Sequence, residues 1–178
     1  ENKRAEDEIV ILYDEKNGNP DVIDFLTPLD VNLNKGSFEG NFADWKNKLN
    51  SYCAGDYIFQ IDADEIPNEF LVSNLKEVLA NNNVDLIFVP RVNTVEGITQ
   101  SHIDKWGWRL NERGWVNFPD YQTRIYRNTS DVQWMNKVHE VITGYNNFST
   151  FPPQEEFCLY HHKEIQRQER QNELYNTI

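Results

Sequence analysis

Gly55-Asp56-Tyr57-Ile58-Phe59-Gln60-Ile61-Asp62-Ala63-Asp64-Glu65-Ile66-Pro67 is the stretch on which the reading of this chain turns. Asp56 to Asp62 encloses an apolar run of the length and character of a strand covered on both faces. Gly55 before it suits the end of a helix, and Pro67 after it suits the start of another. Phe70, Leu71, Leu75, Val78 and Leu79 give that next helix its apolar side, and Asn81-Asn82-Asn83 closes it. Between strand and helix stand three carboxylates within four residues, Asp62, Asp64 and Glu65.

The flanking segments extend the pattern. Glu8 to Asp14 reads as a buried strand, Lys16-Asn17-Gly18-Asn19 as a turn, and Pro20 to Phe25 as a short helix. A looser stretch holds Gly36 and Gly40. Phe42, Trp45, Leu49, Tyr52 and Cys53 then recur at helical spacing, and Val84 to Val92 is a further strand. This order predicts an α/β fold whose central sheet is mostly parallel and flanked by helices. After Asn93 the segments shorten, with strands expected over Tyr121–Arg127, Val138–Thr143 and Phe157–Tyr160 and a charged helix from Lys163 to about Tyr175. No linker interrupts the 178 residues, which read as one domain with halves at 8–92 and 93–178.

Hydrophobic residues make up 39% and charged residues 26%, which excludes a disordered or collagen-like chain. Aromatic residues reach 13%, enough for a core and a lined site. The formal charge of −12, from 29 acidic and 17 basic residues, repels phosphate backbones and argues against nucleic acid or an anionic membrane as partner. An anionic substrate then needs a local device such as a metal ion. Cys53 and Cys158 are too few for a disulfide framework. They read as small apolar groups in a reducing compartment, and with no apolar run of about 20 residues a cytoplasmic location is expected. The chain opens at Glu1 rather than Met.

In open α/β sheets, ligands gather outside the carboxyl ends of strands, where Asp62, Asp64 and Glu65 fall. Carboxylates there are hard oxygen ligands for Mg²⁺ or Mn²⁺, which keep waters and bridge to substrate phosphates. The competing structural reading is an N-cap for the helix after Pro67, but one carboxylate suffices for that. Three so close repel one another unless a cation joins them. An EF-hand loop lacks its glycine here and has no preceding strand.

The stretch from Gly55 to Glu65 resembles the G-D-W-I-L-x-L-D-A-D-E signature of family 2 glycosyltransferases of the GT-A fold. Asn41-Phe42-Ala43 with Asn47 resembles the family's N-F-(S/A)-x-x-R-N helix, with Lys46 where Arg is usual. Gly114-Trp115, Pro119-Asp120, Gln122, Arg124 and Val138-His139-Glu140 resemble the G-G-W-x-P-D-x-Q-x-R-L-F-R…V-H-E pattern of the branch similar to lipooligosaccharide β-1,4-glucosyltransferases. The likeness covers residues 8 to 175. By that resemblance the chain starts at the family's second strand, without the first strand and helix that help hold the nucleotide base.

The resemblance implies a metal-dependent, inverting transfer of a hexose from a nucleotide-sugar, a UDP-sugar by expectation, to a glycan or lipid-linked saccharide acceptor. Asp64 becomes the direct ligand of Mn²⁺ or Mg²⁺, and Asp62 a contact to ribose or a metal-bound water. His161 or His162 completes the metal shell, and Asp14 meets the nucleoside. Gln122 and Arg124, with Arg127, become candidate phosphate contacts. Asp120 is the first candidate for the base that takes the acceptor proton, and Glu140 is its rival. Trp106, Trp108 and Trp115, in one polar loop, and His139 are candidate acceptor contacts, aromatic faces being suited to sugar C–H faces. Two other classes remain open on the same residues: a sugar-nucleotide nucleotidyltransferase, and a non-catalytic carbohydrate- or metal-binding remnant.

Overall fold

The computed structural model describes residues 3–175. In chain order the elements are β1 (Val10–Asp14), α1 (Pro20–Leu26), β2 (Asn32–Gly36), α2 (Phe42–Asn50), β3 (Tyr57–Phe59), β4 (Glu65–Pro67), α3 (Glu69–Asn81), β5 (Leu86–Glu96), α4 (Gln100–Trp106), β6 (Val116–Arg127), β7 (Gln133–Met135), β8 (Val141–Thr143), β9 (Phe148–Thr150), β10 (Leu159–Glu164) and α5 (Ile165–Tyr175), with a 3₁₀ turn at Glu155–Phe157. The class is α/β, as expected, but the sheets are mixed rather than mostly parallel. No helix among the described residues is long and apolar enough to cross a membrane.

The chain divides into two compact units, residues 1–58 with 126–146, and residues 59–125 with 147–178. In the first, β1 and β2 pair in parallel and β7 and β8 antiparallel. Asn41 caps α2, its side chain accepting from the backbone N–H of Ala43 and Asp44. Asn47, inside α2, clamps β7 by exchanging hydrogen bonds with the backbone of Trp134 at 2.8 and 2.9 Å. The buried indole of Trp134 donates to the Tyr126 hydroxyl at 3.1 Å, so the polar ends of this aromatic core are paired.

In the second unit β6, β5, β10 and β4 lie side by side in that order, with β9 also on β5. The eleven-residue β5 is the spine, parallel to both β10 and β9. Leu86, Ile87, Val89 and Val92 of β5 are buried with Leu71, Ile125, Phe151, Cys158 and Leu159. Burial pushes the free Cys158 thiol up to about 12, with Glu155 and Glu156 adding to the effect.

Several boundaries differ from expectation for local reasons. The strand after Gly55 ends at Phe59, the chain turns with the Glu65 N–H bonded to the Asp62 carbonyl, and Glu65–Pro67 forms β4 antiparallel to β10. The following helix starts at Glu69, because the side chain of Asn68 accepts from the Phe70 N–H and caps it. The carboxylates are therefore not the cap. Within the expected tryptophan loop, α4 carries the chain to Trp106. Hydrogen-bonded pairing to β5 continues through Glu164, which delays α5 to Ile165.

Candidate functional site

Strand alternation places Arg91 and Asn93 of β5 on one face of the sheet. Register sets His161 of β10 opposite both Asn93 and Glu65 of β4. Asp120, Gln122 and Arg124 alternate in the same way along β6. These side chains, with Asp62, Asp64 and Arg167, form one continuous run of polar contacts within the second unit.

The run starts at Asp62, whose Oδ2 accepts from Arg124 Nη2 at 2.6 Å and whose Oδ1 accepts from Gln60 at 3.2 Å. Arg124, only 3% exposed, also donates to both oxygens of Glu65 at 2.7 and 2.9 Å. Arg91 takes up Glu65 Oε1 at 2.8 Å and passes to Asp120 Oδ2 at 2.7 and 3.0 Å. Burial would raise the Glu65 pKa, but hydrogen bonds and charge from Arg124 and Arg91 outweigh it and hold the carboxyl below its usual value. The cation that joins Asp62 to Glu65 is thus Arg124.

From Asp120 the run continues through Asn93. Asn93 Nδ2 donates to Asp120 Oδ2 at 2.8 Å, and Asn93 Oδ1 meets His161 Nδ1 at 2.8 Å. The buried His161 ring presents Nε2 to Asp64 Oδ2 at 3.4 Å, and Arg167 of α5 reaches the same oxygen at 2.9 Å. Hydrogen bonding to His161 is the main reason the Asp64 carboxyl lies well below its usual range, with the His161, Arg167 and Lys163 charges assisting against burial. Lys163 shares this strand face. Burial, reinforced by Arg91 and Arg167, keeps its ammonium below the usual value although Asp64 pulls the other way.

Asp64 and His161 are therefore brought together, whereas Asp62 is bound to Arg124. His162 points elsewhere, 63% exposed, with Thr94 at 2.9 Å and Glu96 at 3.7 Å. Among the described residues no group of three His, Cys, Asp or Glu could hold a metal ion. Mg²⁺ and Mn²⁺ do not need an all-protein cage, since they bind through one or two protein ligands plus waters and phosphates. Arg167 and His161 both meet Asp64 at Oδ2. The Asp64 carboxylate is the kind of hard oxygen donor that Mn²⁺ and Mg²⁺ take.

Gln122 donates to Asp120 Oδ1 at 2.9 Å, and Arg124 is taken up by Asp62 and Glu65, so both expected phosphate contacts are engaged by carboxylates. Trp106 stacks on His102 and tilts against Trp108, while Trp115 packs edge-on against Phe118. All three indoles are half-buried. A hollow of about 420 Å³ lies among Gly107, Arg109, Leu110, Asn111, Asn117 and Phe118.

Three candidates belong to the first unit. Asp14 Oδ1 accepts from the N–H groups of Lys16 and Phe38 at 3.1 and 3.0 Å, and Oδ2 accepts from Asn17 at 2.8 Å. Burial opposes these bonds, which nonetheless hold its pKa below the usual value. Glu140 pairs with Lys46 at 2.5 Å, and that ammonium lies 4.3 Å from the centre of the Trp134 ring. His139 is exposed, with φ +54°.

The reading from sequence alone missed Arg91, Asn93, Lys163 and Arg167. A signal existed for the first: an arginine inside the apolar run Ile87-Phe88-Val89-Pro90-Arg91-Val92 requires a buried partner. No protein-family model matches the chain, and no curated protein matches it.

Proposed function

We propose that this chain is a metal-dependent, inverting glycosyltransferase of the GT-A type, transferring a hexose from a UDP-sugar to a saccharide acceptor. The observation that carries the reading is the pairing of Asp64 with His161, a hard carboxylate and an imidazole nitrogen 3.4 Å apart on the polar face of the sheet. Asp64 and His161 would hold Mn²⁺ or Mg²⁺. When bound, the ion offsets the negative charge that collects on a departing nucleoside diphosphate. Arg167 and Lys163, whose charges act on Asp64, add positive charge for that diphosphate.

Asp120 fits the base. Its Oδ2 is held by Arg91 and Asn93, while Oδ1 accepts from Gln122 and keeps a lone pair for the acceptor proton. Glu140 reads instead as the counter-charge of Lys46. Trp106, Trp108 and Trp115 offer ring faces near a hollow suited to a saccharide.

Asp64→Ala tests the reading. Wild type should gain thermal stability from UDP only with Mn²⁺ present, and the variant should lose that gain while unfolding cooperatively. Equal Mn²⁺-dependent stabilisation of both proteins would sink the assignment. The engagement of Asp62 by Arg124 favours a second reading, a metal- and carbohydrate-binding module without turnover. UDP and Mn²⁺ stabilisation without transfer from any UDP-hexose would select it.

A further inference from the structure

We propose that the hollow bounded by Arg109 and Phe118 takes an acidic saccharide, its carboxylate bound by the Arg109 guanidinium and its ring laid against Leu110 and Phe118. The inference rests on the reading above for calling that sugar the acceptor, while the binding itself needs neither donor nor metal.

The backbone of the hollow is held by side-chain amides. Between 109 and 117 the chain doubles back on itself, with Leu110 bridged to Val116. The Asn117 N–H donates to the Arg109 carbonyl at 2.8 Å, and Asn117 Oδ1 accepts from the Arg109 N–H at 2.9 Å. These two bonds hold Asn117 at φ +53°, in the left-handed region. Asn111 Oδ1 accepts from the N–H groups of Arg113 and Trp115, each at 3.0 Å.

The same bonds decide what the hollow offers a ligand. Both amides spend their carbonyl oxygens on the backbone, so the capacity left to Asn111 and Asn117 is their NH₂ hydrogens, which only donate. A guanidinium also only donates. Arg91, Arg113, Arg124 and Arg167 each meet a carboxylate, whereas none pairs with Arg109 among the described residues. The polar side chains lining the hollow are therefore donors, and no carboxylate lines it. A sugar hydroxyl would leave its own hydrogen facing them, but a carboxylate only accepts, and its plane matches the guanidinium fork. The chain's formal charge of −12 repels anions at long range, so an anion can be held only by local donors of this kind.

The rest of the lining asks for more than a bare anion. Leu110 is exposed, and Phe118 is fixed edge-on against Trp115 at 4.8 Å between ring centres. The C–H face of a sugar ring covers such apolar surface, as acetate cannot. The volume of about 420 Å³ lies within the ordinary range of small-molecule sites.

The test titrates the full chain, without metal or nucleotide, with methyl β-glucuronide, methyl β-glucoside and acetate. Binding is followed by ¹⁵N–¹H NMR at the Arg109 Nε–H and at the Asn111 and Asn117 side-chain amides. The glucuronide should move these signals and bind about 10–100-fold more tightly than the glucoside, the range for hydrogen bonds to a charged group. Arg109→Gln should erase that difference at unchanged thermal stability, since no ion pair among the described residues is lost. Arg113→Gln removes an exposed guanidinium four residues away, one that Glu155 holds, and should keep the difference.

Equal affinity for the two glycosides in wild type, or a preference that survives Arg109→Gln, overturns the inference. Acetate bound as tightly as the glucuronide overturns its saccharide part. A glucuronide preference abolished by Arg109→Gln, in a chain that transfers no hexose to any acceptor, supports the inference and sinks the transferase reading. Mn²⁺-dependent stabilisation by UDP with equal binding of both glycosides does the reverse.

Discussion

The two units hold their charged side chains in opposite ways. In the first, Lys46 pairs with Glu140 beside the Trp134 ring. In the second, Asp62, Glu65, Asp120 and Asp64 are threaded through Arg124, Arg91, Asn93, His161 and Arg167, and every member between Asp62 and Arg167 touches at least two others. A pair serves the packing around it. An open-ended run holds its polar groups in a connected set, and such a set can rearrange to bind something else. The contrast teaches that contact partners, more than residue type, separate a structural acid from a working one.

The sharpest way to break this contrast is to neutralise one acid in each unit. Asp120→Asn should lower transfer from a UDP-hexose by about 10²–10⁴-fold in a single-turnover assay, with Mn²⁺-dependent UDP binding almost unchanged. Glu140→Gln should leave transfer near normal but lower stability by about 1.5–3 kcal/mol in urea unfolding, the range for a charge-assisted hydrogen bond. The reverse pattern would make Glu140 the base.

Arg124→Met probes the run as a structural unit. Removing this 3%-exposed guanidinium leaves the fully buried Glu65 carboxylate to Arg91 and the Asp62 N–H and should cost about 3–5 kcal/mol. A loss below about 1 kcal/mol would show that the run contributes little to the fold.

The smallest effect expected is on acid stability. Asp64 and Glu65 both have folded-state pKa values below their unfolded ones, so the unfolded chain binds protons first as pH falls. Their stabilisation is complete above the ordinary carboxylate values, about 4, and is lost as pH falls below them toward the folded-state values. Thermal midpoints measured across that window should fall less steeply for Asp64→Asn than for wild type.

The part of the site written in consecutive residues could be read from sequence. Asp62-Ala63-Asp64-Glu65 after an apolar strand announces a carboxylate cluster at a strand end, and the helices at Pro20 and Phe42 follow from their caps and spacing. What joins the carboxylates is not local. Arg91 and Asn93 lie in a strand whose neighbours are apolar, and only pairing with β10 and contact with β6 gives them partners. Three-residue strands such as β4 and β9 carry too few residues to show a period, which is why the sheet reads as more parallel than it is. Asn32-Leu33-Asn34-Lys35-Gly36 hides β2 because its side chains are mostly polar.

The His161-His162 doublet makes the alignment of β10 on β5 a selector switch. The strands meet with Leu159 opposite Arg91 and His161 opposite Asn93. A slip of β10 by one residue would turn every side chain over, carry His162 to the inside and put His161 in solvent. Composition would not change, and an imidazole would still stand in β10. The apolar Leu159, fully buried in the present alignment, would then be forced outward. Two adjacent histidines are thus told apart by a greasy side chain a few residues away, and an insertion or deletion in the 3₁₀ turn at Glu155–Phe157 would rewire the polar face without touching any of its members.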